Sequence, residues 1–173
     1  MRSIEAECSA FLVTTVRSTG QTSGIALDIP SGDGRHSRLL ASYGMRVISA
    51  DLDNIALARG VAAAGSLSGQ IAPVRLDATK PLPFGDGVFD LVLIIHFQLK
   101  DVLPLVKRLV RSDGLQILET YGGHGENWRG LPLAGQMSTE LSGEFDLVHY
   151  KESPVRKQRQ HVTVKAVGRK RFV

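Results

Sequence analysis

Ile25-Ala26-Leu27-Asp28-Ile29-Pro30-Ser31-Gly32-Asp33-Gly34-Arg35-His36-Ser37 opens a run that continues through Leu39, Leu40, Tyr43 and Gly44 to Val47-Ile48-Ser49-Ala50-Asp51-Leu52-Asp53. Ile25, Ala26, Leu27 and Ile29 form an apolar run too short for a helix and bounded by turn residues, which predicts a buried strand. Pro30 to Gly34 break regular structure, and Gly32 and Gly34 tolerate backbone angles closed to other residues. Leu39, Leu40 and Tyr43 then recur at helical spacing, with Gly44 placed to end the helix. Val47, Ile48 and Ala50 predict a second strand with Asp51 at its carboxyl end. The whole is a βαβ unit, with a glycine turn over a helix N-terminus and a carboxylate at the next strand tip. Open parallel sheets bind nucleotide-like ligands at that place.

A dinucleotide fold asks for G-x-G-x-x-G, whose third glycine lets helix pack closely on strand. Here the register reads Gly32-Asp33-Gly34-Arg35-His36-Ser37, and the third glycine is missing. Asp33 also sets a negative charge where a pyrophosphate would lie at a helix N-terminus. A ligand with a ribose and no phosphate suits the turn better, and no binding of NAD(H) is expected. Asp28, at the end of the first strand, is placed to meet a cationic amine.

Outward from this unit, Ser3 to Arg17 predicts an N-terminal helix with Ile4, Cys8, Phe11, Leu12 and Val16 on one face. Asn54 to Ala64 predicts the helix after Asp51, and Ile71 to Leu76 the third strand, followed by Asp77-Ala78. A turn-rich loop, Thr79-Lys80-Pro81-Leu82-Pro83-Phe84-Gly85-Asp86-Gly87, leads to Phe89-Asp90 and a fourth strand over Leu91–Ile95. Asp101 to Val110 predicts a helix, Ser112-Asp113-Gly114 a turn, and Leu115–Glu119 a fifth strand. Tyr121 to Arg129 reads as a glycine-rich loop carrying His124, Glu126, Asn127 and Trp128. Ser138 to Phe145 predicts a short helix. Phe145–Lys151 and His161–Gly168 alternate apolar and polar residues and predict an antiparallel pair. Strands and helices in alternation, closed by a hairpin, predict an α/β chain with a doubly wound, mostly parallel sheet.

Leu27 to Ser37 resembles motif I of the class I S-adenosylmethionine-dependent methyltransferases, more narrowly that of the small bacterial tellurite-resistance-type enzymes. There an acidic residue precedes three glycines at alternate positions; here Gly32 and Gly34 stand at the second and third, and Pro30 at the first. The stretch from Asp77 through Leu82-Pro83-Phe84 to Phe89-Asp90 resembles the same family's acidic residue and Leu-Pro-Phe loop. The resemblance is strongest from Leu27 to Asp90. It implies a Rossmann-like sheet of seven strands with the last antiparallel, and methyl transfer by in-line displacement. It implies one methyltransferase domain over 1–173: a capping helix at 3–17, a cofactor-binding core at 25–120, and an acceptor-side loop and hairpin at 121–173.

By the same resemblance S-adenosyl-L-methionine is the cofactor, held by Asp28, Pro30, Ser31, Gly32 and Gly34 around the turn. Asp51 would accept from both ribose hydroxyls, a role for two carboxylate oxygens, and Leu52 would cover the adenine face. Asp77 would accept from the adenine amino group while the Ala78 N–H donates to the ring, and Ile94 and Ile95 would present backbone groups. On the acceptor side stand His96 after the fourth strand, as a base near neutrality, with Tyr121 and Trp128 on the following loop. Three glycines in eight residues make that loop costly to order, and Trp128 is expected on a lid that closes over the acceptor. His36 is expected to face solvent or the cofactor's carboxylate. No metal site is expected.

Composition narrows the partners. At 43% apolar residues and near-zero mean hydropathy, 173 residues suffice for one soluble domain with its own core. No apolar run is long enough to span a membrane, no secretory leader is read at the N-terminus, and the single cysteine, Cys8, suits a reducing compartment. Cytoplasm is the expected location. The net charge of +4 is uneven, since residues 146–173 carry +6 and the remainder −2. A basic end of this kind leaves RNA or protein as alternative acceptors to a small molecule. Base-modifying RNA enzymes of the family show Asn/Asp-Pro-Pro-Tyr/Phe after the fourth strand, where this chain has Ile95-His96-Phe97-Gln98. Pro30 motivates a further alternative, a cofactor-binding protein without catalysis.

Overall fold

A computed structural model describes residues 3–123, 131–155 and 158–172. Seven strands form one sheet in the order β3-β2-β1-β4-β5-β7-β6. β1 (Ile25–Asp28), β2 (Arg46–Asp51), β3 (Ile71–Arg75), β4 (Phe89–Ile95) and β5 (Val110–Gly123) run parallel. β7 (Gln158–Lys170) lies antiparallel between β5 and β6 (Phe145–Val155). The strand order reverses at β1, between β2 and β4, and that switch point opens a crevice at the carboxyl ends. The seven-stranded sheet with its antiparallel last strand is the one expected.

Alternation along the strands divides the core in two. Ala26, Val47, Leu91, Leu93, Leu115, Ile117 and Val167 face α2 (Ala10–Thr19) and α3 (Arg35–Ser42), which contribute Leu12, Val16, Leu39 and Leu40. Right-handed crossovers put α4 (Asn54–Ala64) on the same side. Leu27, Ile29, Val92, Ile94 and Leu118 face the other way. They pack against the 76–88 loop through Leu82, against α5 (Leu103–Lys107) through Leu103 and Val106, and against α6 (Gln136–Ser142) through Met137 and Leu141. No helix joins β3 to β4, so a depression of about 280 Å³ remains at the amino ends of β1–β3, lined by Ile25, Ile48 and Ala72 among others. It lies at the edge of the sheet opposite the glycine turn.

Several boundaries differ from expectation for identifiable reasons. The N-terminal helix is broken into α1 (Ile4–Glu7) and α2, because Ser9 leaves the helix to cap α2, its hydroxyl accepting from the Leu12 N–H. The helix expected from Asp101 to Val110 shortens to α5, since Val110 already pairs with Phe89. The turn at Ser112-Asp113-Gly114 survives as an irregularity within β5, where Asp113 takes a φ of 64° and pairing resumes at Leu91–Leu115. β5 continues past Glu119 through Gly123, so Tyr121 lies on a strand paired with Thr163 and not on a loop. β6 and β7 likewise outrun the predicted hairpin.

Candidate active site

The chain leaving β1 is led across the sheet tips by its backbone. Ile29 N–H donates to Leu93 O on β4 at 3.0 Å, and Ser31 N–H donates to Ala50 O on β2 at 2.9 Å. The glycine turn is thereby stretched over the switch point, with the Ile29–Pro30 peptide bond cis. Gly34, at φ 69°, precedes α3, and its N–H donates back to Ser31 O at 3.0 Å. Gly32 has φ 57°, and a side chain built there would meet nothing within 4 Å. The turn therefore offers bare backbone to open space at its apex. Beside it the Ser31 hydroxyl is buried and has no hydrogen-bond partner, an uncommon state for a buried polar atom.

Asp51 stands at the tip of β2. Its Oδ2 accepts from the Gly32 N–H at 2.7 Å and its Oδ1 from the Asp53 N–H at 2.9 Å. A carboxylate has about four lone-pair directions, so two remain for a vicinal diol. Asp53 caps α4, accepting from Ile55 N–H at 2.8 Å and Ala56 N–H at 3.2 Å. Leu52, between the two aspartates, is 55% exposed, so it is an apolar surface at the rim and not part of the core. Asp77 caps its own turn: Oδ1 accepts from Thr79 N–H at 2.9 Å and from Thr79 Oγ1 at 2.7 Å, bonds that hold its carboxyl below the usual range. Ala78, Ile94 and Ile95 are buried, leaving only their backbone to serve a ligand.

Asp28 is 1% exposed, beneath the turn. Ser37 Oγ of α3 donates to its Oδ2 at 2.7 Å and lies 2.9 Å from Ser49 Oγ of β2. Burial pushes the Asp28 carboxyl up to about 7, against the lowering effect of the Ser37 bond. In this arrangement Asp28 ties β1 to α3, and its partner is a hydroxyl of the chain. His36, expected to face solvent or the cofactor's carboxylate, is buried and so does not face solvent: it lies in the first turn of α3, with its ring toward Ser9. Its Nε2 accepts from the Ser9 N–H at 3.4 Å, and burial, followed by the charge of Arg35, brings it down to about 4.

On the acceptor side, His96 follows β4 with φ 58°, and its N–H donates to Glu119 O at 2.7 Å. The left-handed backbone turns its exposed ring onto Tyr121, the centroids 5.8 Å apart and the planes 12° from parallel. Tyr121 is 47% exposed. The two rings are brought together, as their shared place on the rim implied. Trp128, with His124, Glu126 and Asn127, lies outside the described residues.

Three groups of this region were not singled out in the sequence. The Glu119 carboxylate, nearly buried, accepts from Ser9 Oγ and pairs with Lys165 Nζ at 3.1 Å. Lys165 in turn lies over the Phe11 ring, 5.3 Å from its centroid. The signal for Glu119 was a charge at the end of the apolar run Leu115–Leu118; Ser9 and Lys165 had no local signature. Gly60 of α4 is the fourth omission, packed so closely on the turn that a Cβ would come 2.9 Å from Asp33 O.

A match to a family described as "Methyltransferase domain" covers residues 26–114. No curated protein matches the sequence. Among solved structures, the [4+2]-cyclase SpnF superposes with TM-score 0.78 at 14% identity, over 94% of this chain and 81% of that one. A putative sarcosine dimethylglycine methyltransferase from Galdieria sulphuraria gives 0.77 at 12% identity, over 93% and 84%. The geranyl diphosphate C-methyltransferase of Streptomyces coelicolor A3(2), solved with Mg2+, geranyl diphosphate and S-adenosyl-L-homocysteine, gives 0.72 at 11% identity, over 91% and 78%. At such identities these three share a fold with this chain. The matched domain spans β1, the glycine turn, Asp51, Asp77 and β4, and the chain belongs to the methyltransferase domain family as a class I S-adenosylmethionine-dependent methyltransferase.

Proposed function

We propose that the chain methylates a small-molecule acceptor held over the carboxyl ends of β4 and β5. The observation that carries the donor side of this reading is the turn itself, with open space beside Gly32, an unpartnered buried Ser31 hydroxyl and an Asp51 carboxylate with acceptor capacity to spare. These residues fit a nucleoside with a ribose diol. S-adenosylmethionine supplies a methyl group already activated by its sulfonium. Asp51 takes the ribose hydroxyls, Leu52 covers one face of the adenine, and Asp77 with the Ala78 N–H reads its edge. Pro30, Ser31, Gly32 and Gly34 give the backbone path along the rest of the molecule, while Asp28 holds that path in place from below. Ile94 and Ile95 present carbonyls at the tip of β4.

The residues that face the acceptor are His96 and Tyr121. With the donor activated, orientation and exclusion of water are the main tasks, and the paired His96 and Tyr121 rings offer an aromatic wall for both. His96 is also placed to take a proton from the attacking atom. Small-molecule acceptors are named for two of the structural neighbours, geranyl diphosphate and sarcosine or dimethylglycine. The narrower likeness to tellurite-resistance-type enzymes rests on the sequence between Leu27 and Asp90. The division into a capping segment at 3–17, a cofactor core at 25–120 and an acceptor side at 121–173 belongs to the same proposal, with His96 reaching the acceptor from within the core segment. No helix among the described residues is long and apolar enough to cross a membrane, and none of them form a cluster suited to a metal ion.

The test is calorimetry with S-adenosylhomocysteine and with NADH, followed by transfer of labelled methyl to a panel of thiols, phenols, amines and metalloid oxyanions. Saturable binding of S-adenosylhomocysteine and label on a small product are expected. Binding of NADH alone would remove the reading.

A further inference from the structure

The sheet face that packs against α2 does not end where the helix ends. Glu119 and Tyr121 of β5 lie opposite Lys165 and Thr163 of β7, and these lie opposite Lys151 and Ser153 of β6. Residues directly opposite in an antiparallel pair share a face. The face is the one toward α2, since Phe11 touches both Lys165 and His149, which precedes Lys151 by two residues on β6. Beyond Phe11 and His149 the strip of Tyr121, Thr163, Ser153 and Lys151 has no helix over it among the described residues.

Charge on the strip is unbalanced. The carboxylate of Glu119 is taken up by Lys165 at 3.1 Å and by Ser9. Lys151 has no ion-pair partner among the described residues, is exposed, and stands directly across from Lys165. Lys165 is already neutralised by Glu119, so the row Glu119, Lys165 and Lys151 carries one uncompensated positive charge, that of Lys151 at the β6 edge. An anion laid beside Lys151 would balance that charge.

Resting on the reading of the site as a methyltransferase acceptor site, we propose that the acceptor is a small, flat, unsaturated ring bearing a carboxylate or phosphate. The ring lies on the Tyr121–His96 stack and the anion on Lys151. Tyr121 and Lys151 are two strand spacings and two residues of register apart, roughly 12 Å along the diagonal, a span that a single-ring acid covers together with the tyrosine ring and a lysine side chain bent toward it. The Thr163 and Ser153 hydroxyls, on the same face and level with Tyr121, are placed to donate to the anion.

The test uses the full chain saturated with S-adenosylhomocysteine and two probes that differ in charge, benzoate and benzamide, followed by saturation-transfer NMR. Benzoate is expected to bind about three- to fivefold more tightly than benzamide, the size of one exposed ion pair. Lys151→Gln should remove most of that preference while leaving benzamide and S-adenosylhomocysteine unaffected. Equal binding of the two probes, no binding of either to the loaded protein, or an unchanged preference in Lys151→Gln would overturn the proposal. So would a uridine decamer that outcompetes benzoate and loses affinity in the same variant, which would make the strip a nucleic-acid surface. Failure to load S-adenosylhomocysteine at all would fall on the reading of the site as a whole.

Discussion

The strand-tip aspartates of the parallel half of the sheet, β3-β2-β1-β4, and four acids of the antiparallel half, β5-β7-β6, are anchored by different means, although Asp90 of β4 also pairs with Arg111. In the first, Asp51, Asp53 and Asp77 all accept from backbone N–H groups, at 2.7 to 3.2 Å. In the second, Glu119, Asp113, Glu144 and Asp146 pair with the side chains of Lys165, Arg169, Lys170 and Arg171. Backbone donors are held by the fold and cost no side-chain order, whereas a lysine or arginine must give up rotamers to pair. The cofactor half is thus set in advance of any ligand. The acceptor half keeps partners that can be exchanged, which suits a surface on which substrates vary.

That contrast can be broken at Asp51. Replacing it with alanine removes the acceptor for the Gly32 N–H as well as for a ribose diol, and should weaken S-adenosylhomocysteine binding by about 1.5–3 kcal/mol. Calorimetry checks this, and unchanged affinity would mean that the turn, not the carboxylate, recognises the ligand. Gly60→Ala tests the rigidity of the same half from behind. Its methyl would press on Asp33 O at 2.9 Å, with a cost of about 1–3 kcal/mol offset by at most about 1 kcal/mol of helix propensity. Urea unfolding should show a net loss, and a variant as stable as the parent would show that α4 can shift away from the turn.

A subtler effect lies in pH. Asp28, at about 7 against an ordinary 3.8, keeps in the folded state a proton that the unfolded chain has released, so its contribution to stability falls as pH rises through that window. His36, at about 4 against 6.5, has released in the folded state a proton that the unfolded chain still binds, so its contribution falls as pH drops from 6.5 toward 4. The two slopes oppose each other between pH 5 and 6.5. Asp28→Asn should unmask the histidine, making the melting temperature rise with pH across that range where the parent stays nearly level. Parallel profiles for the two proteins would refute the assignment. The smallest effect belongs to the antiparallel half: Arg169→Ala, losing an exposed pair with Asp113, should change stability by less than about 1 kcal/mol in chemical denaturation. A larger loss would show that this half is as firmly set as the other.

The two halves also differed in how far they could be read from residues alone. From Ile25 to Ile95 apolar runs are short and punctuated by Pro30, Gly32, Gly34 and Gly44, so strand and helix limits fell within a residue or two. The aspartates at strand tips were visible because strand ends are where local pattern changes. After Ile95 the pattern misled. Leu105, Val106, Leu109 and Val110 keep helical spacing, yet the last belongs to β5, because pairing with Phe89 outweighs local propensity. Tyr121 and its two glycines looked like loop, and only the partner strand makes them sheet. Side chains that act across the chain, such as Ser9 on Glu119 and Gly60 on Asp33, leave no trace in their own neighbourhood.

The bond between Ser9 and Glu119 joins residues 110 apart, and Lys165, which completes the cluster, is further along still. During synthesis at ~5–20 residues per second, residues 4–19 therefore emerge several seconds before β5 and β7, although β1 and β2 of the same platform follow closely. Loop closure over such a distance comes late in folding, after nearer contacts have formed. Over that interval Leu12 and Val16, wholly buried in the finished protein, are exposed on a segment without its full platform. The α1–α2 segment thus completes its contacts only with β5 and β7, although its bonds to His36 and Tyr43 close over shorter stretches of chain.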